Sequence, residues 1–255
     1  MQSHQSHPLV MQLERDWINT FKSGNQHIKK LQALADSANA HDKETFTSKI
    51  KVIKSVDTFA ELLDATENVD IESHKDEPVI RYIGARGIKA VAWAISFWLP
   101  ECDYLLTERY LREDILKQQA AFLNAQRDWV ETLKRDNVNI AKMQKIADSA
   151  NEPRFNDVLK EIRAADSIEA LLIATKHADM ESNQDDPAVK YMGPTGIKTI
   201  IKGIAFFVPS QANEADFILN LRDLRESILN TKVFFTNEAN ENNHSTSMTR
   251  LTKHS

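Results

Sequence analysis

From Tyr104 onward apolar residues recur three and four positions apart, through Leu105, Leu111, Ile115, Leu116, Phe122, Leu123, Trp129, Val130 and Leu133. This is the period of a helix with one face turned to a core. Neither Gly nor Pro falls between Pro100 and Pro153, so the spacing predicts one helix near 103–135, about 45 Å long at 1.5 Å per residue. Shorter apolar faces predict helices over 9–22, 26–38, 43–54 and 58–68, and again over 154–164, 167–177 and 214–235. Asn39 and Asn151 stand where a left-handed residue would close a helix. Asp57 and Asp166 stand where an N-cap would open one. Pro78 and Pro187 each open a short turn, which Gly84 or Gly193 ends. A last internal helix then starts near Gly87 or Gly196. In the first case it reads IKAVAWAISFWL, apolar almost all round, and in the second IKTIIKGIAFFV, with Lys198 and Lys202 on one side. Such helices are expected to be buried and central with one solvated edge, Gly87, Gly196, Ala94 and Gly203 letting a neighbouring backbone approach closely.

The punctuation recurs because the sequence does. Arg15-Asp16-Trp17 returns as Arg127-Asp128-Trp129, about 112 positions later, and QALADSAN at Gln32 returns in the same register as QKIADSAN at Gln144. After a length change of about three residues, 57–91 matches 166–200. Identities include Leu62/Leu171, Leu63/Leu172, Asp70/Asp179, Glu72/Glu181, Ser73/Ser182, Pro78/Pro187, Tyr82/Tyr191, Gly84/Gly193, Gly87/Gly196 and Lys89/Lys198. The fold expected is all-α: a tandem duplication of a multi-helix unit of about 112 residues, joined by the long shared helix. Its parts are a flexible N-terminus over 1–8, a first repeat over 9–121, a second over 122–235 and a disordered polar tail over 236–255. Phe234-Phe235-Thr236-Asn237 resembles the opening of a further copy, Ala121-Phe122-Leu123-Asn124. In plan the unit is similar to spectrin-type repeats. The similarity ends there, since Pro78, Gly84, Gly87 and Pro100 cut what would be long helices.

Composition narrows the function classes. With 6 Gly and 7 Pro in 255 residues, the turn chemistry of a β-sandwich or a Gly-looped α/β enzyme is scarce. A net charge of −5 argues against a nucleic-acid partner. The single Cys102 excludes an intramolecular disulfide and a Cys-rich zinc site. Residues 1–13 carry no cationic start and no apolar run of signal length, so the chain is expected in the cytoplasm. The apolar stretches of about a dozen residues fall short of the roughly 20 a membrane span needs. The tail has almost no large apolar residue to offset its ordering entropy.

The repeat is also a filter on chemistry. None of the 8 histidines finds a histidine at the matched position, so a duplicated His-metal or Ser-His-Asp site is not expected, and neither catalytic residues nor a metal or cofactor are assigned. The polar residues kept in both copies are the candidates for partner binding or structure: Asp70, Glu72, Ser73, Tyr82 and Lys89, with Asp179, Glu181, Ser182, Tyr191 and Lys198. The acidic loops DIESHKDEP and DMESNQDDP could offer oxygen ligands to a hard cation, but they lack the EF-hand glycine and terminal glutamate and read better as charge placed at a helix N-terminus. Tyr-x-Gly-x-x-Gly-Ile-Lys has two glycines at a helix start but neither the P-loop spacing nor its strand. The expected function is a non-enzymatic interaction module for a protein partner. Two alternatives stand beside it. One is an effector delivered into a host cell without a signal peptide, its export signal in the Asn/Ser/Thr-rich tail. The other is membrane-surface association through Phe97/Trp98 and Phe206/Phe207.

Overall fold

The structure, a computed structural model, describes residues 7–71, 73, 76–96, 99–150, 152–182 and 185–251. Among them every regular element is a helix: α1 (Pro8–Gly24), α2 (Gln26–Ser37), α3 (Ala40–Ser55), α4 (Phe59–Ala65), α5 (Pro78–Ser96), α6 (Pro100–Asp136), α7 (Val138–Ala150), α8 (Pro153–Ala164), α9 (Ile168–Ala174), α10 (Pro187–Phe207), α11 (Ala212–Leu229) and α12 (Lys232–Leu251). Short 3₁₀ turns at Glu67–Val69, Lys176–Ala178 and Pro209–Gln211 link some of them. The chain divides into two compact units. One is Met11–Leu123 with the chain from Phe235, and the other is Asn124–Phe234 with the first residues up to Val10.

In the unit of Met11–Leu123 the core is built by Leu13, Trp17, Ile18 and Phe21 of α1, Ile28 and Leu31 of α2, Ile50 and Ile53 of α3, Phe59 and Leu62 of α4, and Leu111, Ile115 and Phe122 of α6. Each set falls at helical spacing, which is why the period reveals it. Trp17 meets Phe122 edge-on at 5.4 Å between centroids and Phe235 at 6.4 Å. Its indole Nε1 donates to the Gln118 carbonyl at 3.0 Å, so the buried N–H is satisfied. Phe235 and Ala239 are buried, so the packed part of α12 reaches a few residues past the expected tail boundary at 236. Residues 252–255 of the tail, and 1–6 of the expected flexible N-terminus, lie outside the described residues.

In the unit of Asn124–Phe234, Ile140 and Met143 of α7, Phe155, Leu159 and Ile162 of α8, Ile168, Leu171 and Leu172 of α9, and Phe217, Leu221, Leu224 and Ile228 of α11 form the core. Its aromatic stack, Phe155 on Phe217 at 4.2 Å, stands in the place that Phe46 on Tyr104 at 3.8 Å takes in the other unit. Cations close helix ends in both. Lys22 Nζ donates to the carbonyls of Lys54 and Val56, and Lys134 Nζ to those of Arg163 and Ala165.

Several boundaries differ from those the sequence suggests. The N-caps of α4 and α9 are Thr58 and Ser167, one residue after the expected aspartates. Thr58 closes a capping box with Glu61, and Asp57 is drawn instead to Arg15 at 3.0 Å. Asn39 opens α3, accepting from the Asp42 amide, rather than closing α2. Its counterpart Asn151 lies outside the described residues. The helix expected over 214–235 is two helices broken at Asn230–Thr231, short polar side chains that compete with the helical ladder.

The largest correction concerns the apolar helices. α5 has no buried residue, and Val91, Trp93 and Ile95 lie in solvent. In α10, Ile200, Ile204, Phe206 and Phe207 are likewise exposed. The expected close backbone approach does not occur at Gly203, where an added Cβ would meet open space. At Gly87 and Gly196 it would strike Ile83 or Met192, one turn earlier in the same chain. These glycines serve the kink itself, at Gly84 (φ 68°, ψ 167°) and Gly193 (φ 63°, ψ 173°), a region essentially closed to other residues.

Candidate functional site

α4 and α9 are each seven residues long, and their C-terminal carbonyls need partners that the chain's own ladder cannot supply. Arginines from the neighbouring long helix supply them. Arg112 of α6 donates from one terminal nitrogen to the Leu63 carbonyl at 2.6 Å and to Thr66 Oγ1 at 3.2 Å, and from the other to Asp70 Oδ2 at 2.6 Å. Arg225 of α11 donates to the Leu172 carbonyl at 2.8 Å and Thr175 Oγ1 at 3.1 Å, and pairs with Asp179 Oδ2 at 3.1 Å. One turn earlier, Arg109 donates to the Val69 carbonyl and Arg222 to that of Ala178, both at 3.0 Å. Arg222 also bonds Glu181, which Arg225 Nε reaches at 3.2 Å. Planar guanidinium forks suit this task, since one group can span a helix-end carbonyl and a carboxylate at once.

The acidic loops are therefore the second half of an arginine clamp. Ser73 and Ser182 hold the carboxylates in place, their hydroxyls donating to Asp70 at 2.6 Å and Asp179 at 2.7 Å. Burial works against the charge on Asp179, but the Ser182 hydroxyl and amide and the Arg225 guanidinium outweigh it and hold its carboxyl at about 2. Glu181 is lowered too, burial being overcome mainly by the hydrogen bond from Arg222. Asp70, Asp179 and Glu181 thus spend their oxygens on guanidinium, and no group of three metal-ligating side chains occurs among the described residues. Glu72 lies outside them.

Lys89 and Lys198 tie the kinked helices down. Lys89 Nζ bonds Glu113 at 2.8 Å and lies 5.4 Å from the Tyr110 ring centroid. Lys198 bonds Asp223 at 2.8 Å and Glu226 at 2.6 Å, partners that raise its pKa against the opposing effect of burial. These tethers act at mid-helix. Beneath α5 a cleft of about 230 Å³ remains between Val69, Ile71, Ile88, Ala92, Leu105 and Leu106, so α5 rests on the body without filling its seat.

Tyr82 and Tyr191 belong to none of this, being 90% and 86% exposed. They continue a row of exposed apolar residues: Val79, Ile83, Val91, Trp93 (60%) and Ile95 on α5, and Met192, Ile200, Ile204, Phe206 (79%) and Phe207 (80%) on α10. Phe97 and Trp98 lie outside the described residues. Isolated apolar side chains in water are ordinary, whereas a helix that exposes most of its apolar residues is not.

The candidate residues thus fall into three groups. Asp70, Ser73, Asp179, Glu181 and Ser182 join the clamp, Lys89 and Lys198 the tethers, and the tyrosines the exposed face. The clamp arginines went unmarked in the sequence reading, although Arg-x-x-Arg at Arg109 and Arg112 recurs at Arg222 and Arg225 within an apolar helical period. Charges repeated among core positions were the available signal. Two further polar clusters occur in the unit of Met11–Leu123 without a match in the other. Glu108 is buried against Lys49 Nζ at 2.6 Å, and Asp114 bonds Asn25 and His27, each at 3.0 Å. At the matched positions the other unit has Leu221 and Ser227. No family model, curated protein or solved structure matches the chain.

Proposed function

We propose that the chain is a non-enzymatic docking module made of two copies of one helical unit, each copy docking through its kinked apolar helix. The duplication is supported by the repeated arginine clamps, the glycine kinks with matching backbone angles, and the shared closing lysines. Asp70, Ser73 and Lys89, with Asp179, Glu181, Ser182 and Lys198, are taken up in holding helices together, which leaves the exposed helices with Tyr82 and Tyr191 as the shared feature the fold does not use. The observation that carries the reading is the exposure of Trp93, Phe206 and Phe207 on helices anchored mid-length by a lysine tether.

The reading is tested on the full chain with Trp93→Ser, Phe206→Ser and Phe207→Ser combined. Thermal unfolding followed by circular dichroism should stay within about 2 °C of the unaltered chain, as for other surface substitutions. Binding of a hydrophobic dye to the native protein should fall. A drop of more than about 5 °C in the midpoint would mean that these side chains are core, and the docking face would not exist.

A further inference from the structure

Charge narrows what the exposed helices can meet. In a chain of net charge −5, α5 carries Arg81, Arg86 and Lys89 and α10 carries Lys190, Lys198 and Lys202, and neither contains an acid. The nearest acids along the chain stop at Glu77 and Asp186, before each helix begins. Lys89 and Lys198 are held by the body. Arg81, Arg86, Lys190 and Lys202 are exposed and form no ion pair with a described residue. Aromatic and aliphatic groups are therefore interleaved with free cations alone, which suits a surface that is apolar inside and anionic outside.

Comparing the two helices bears on the choice between a bilayer and a protein groove, beside their charge. A groove reads particular side chains at fixed helical positions. A bilayer interface reads only the amphipathic class. Here the amphipathic class persists in both helices, while the side chain at a given position is exchanged at two exposed places. Exposed Trp93 is matched by Lys202 and Arg86 by Thr195, whereas Arg81 is matched by Lys190, Val91 by Ile200 and Ile95 by Ile204, a cation for a cation and an aliphatic group for an aliphatic one. Neither helix is long and apolar enough to cross a membrane, and Gly84 and Gly193 shorten each straight segment further. A segment of this kind lies in the interface plane, with Lys and Arg stems reaching up to the headgroups.

We propose that α5 and α10 are membrane-docking helices that insert their aromatic residues into an anionic lipid surface, with Arg81, Arg86, Lys190 and Lys202 contacting the headgroup phosphates and carboxylates. The assignment rests on the docking reading above and names its partner.

Flotation of the full chain with vesicles tests it. Vesicles of phosphatidylcholine with about a third phosphatidylserine should carry the protein up at low salt, binding it at least about tenfold more tightly than phosphatidylcholine alone, and less so at physiological salt. Changing Arg81, Arg86, Lys190 and Lys202 together to Gln should weaken binding about tenfold or more. The triple serine variant should not float. No flotation with the anionic vesicles, equal flotation with neutral ones, or binding indifferent to both variants would overturn the lipid assignment. If the serine variant also melts like the unaltered chain, the docking face survives and an acidic protein groove becomes its occupant. If that variant melts early, the docking reading fails as well.

Discussion

The clamp and the kinked helix invert the usual placement of side chains. Arg112 and Arg225 are buried, while Tyr82, Phe206 and Phe207 stand in water. The buried arginines are costly to desolvate but are answered atom by atom, by a helix-end carbonyl, a threonine hydroxyl and a carboxylate. The exposed aromatics have no such set of partners among the described residues, although Phe206 and Phe207 meet each other edge-on at 5.1 Å between centroids. The contrast shows where to look for structure and where for function. In this protein Asp70, Ser73 and Lys89 in one unit and Asp179, Ser182 and Lys198 in the other hold helices together, while the apolar residues of α5 and α10 are left in water.

Removing an arginine should break the contrast most severely. Arg225→Ala would leave Asp179 without its guanidinium and take one donor each from the Leu172 carbonyl and Glu181, a loss of about 2–4 kcal/mol. Urea denaturation of the full chain measures it. Arg225→Lys should restore only part of the loss, since an ammonium cannot span carbonyl, hydroxyl and carboxylate with a planar fork. Recovery to full stability would mean that charge alone, without geometry, holds the clamp.

How much of this was legible in the sequence depends on whether a feature is local. Helix period, the punctuation at Pro78, Gly84 and Gly193, and the long helix around 103–135 are written in neighbouring residues, and the all-helical structure follows them. The N-caps were misplaced by one position because Asp57 and Thr58 are both competent caps, and only Arg15 and Lys22 decide which is free to act. The clamp joins residues about 40 to 50 positions apart, so its carboxylates could be read as cation ligands until their arginines were in view. Burial of the apolar helices was misjudged for a related reason. Hydrophobicity states what a residue would gain by burial, but whether a neighbour exists to bury it is a property of the whole fold.

The kink offers a smaller perturbation. At Gly193 an added Cβ meets no atom within 4 Å, yet φ is 63° and ψ 173°, so Gly193→Ala should cost about 1–3 kcal/mol through backbone strain alone. Gly203 has the same open surroundings without the positive φ. Gly203→Ala should therefore leave stability unchanged or raise it by up to about 1 kcal/mol. Thermal melts of the two variants make the comparison, and equal changes would mean that the positive φ at Gly193 carries no cost of its own.

The smallest effect is expected from protons. Asp179 titrates at about 2 in the folded chain, below the 3.8 of a free aspartate. A depressed carboxyl contributes stability that is complete above the unfolded value and is lost as pH falls through the folded one, so the window lies between about 4 and 2. Asp179→Asn removes the charge and therefore that contribution. The stability gap between the unaltered chain and Asp179→Asn should be constant near neutrality and narrow as pH falls through this window. Its amplitude stays below that of Arg225→Ala, because protonating one carboxylate leaves the guanidinium its carbonyl, its hydroxyl and Glu181. A gap that did not narrow would mean that Asp179 serves as a hydrogen-bond acceptor for Ser182 more than as a counter-charge. The arginine would then be held by the Leu172 carbonyl, the Thr175 hydroxyl and Glu181, and the charge of Asp179 would not be what the fold requires.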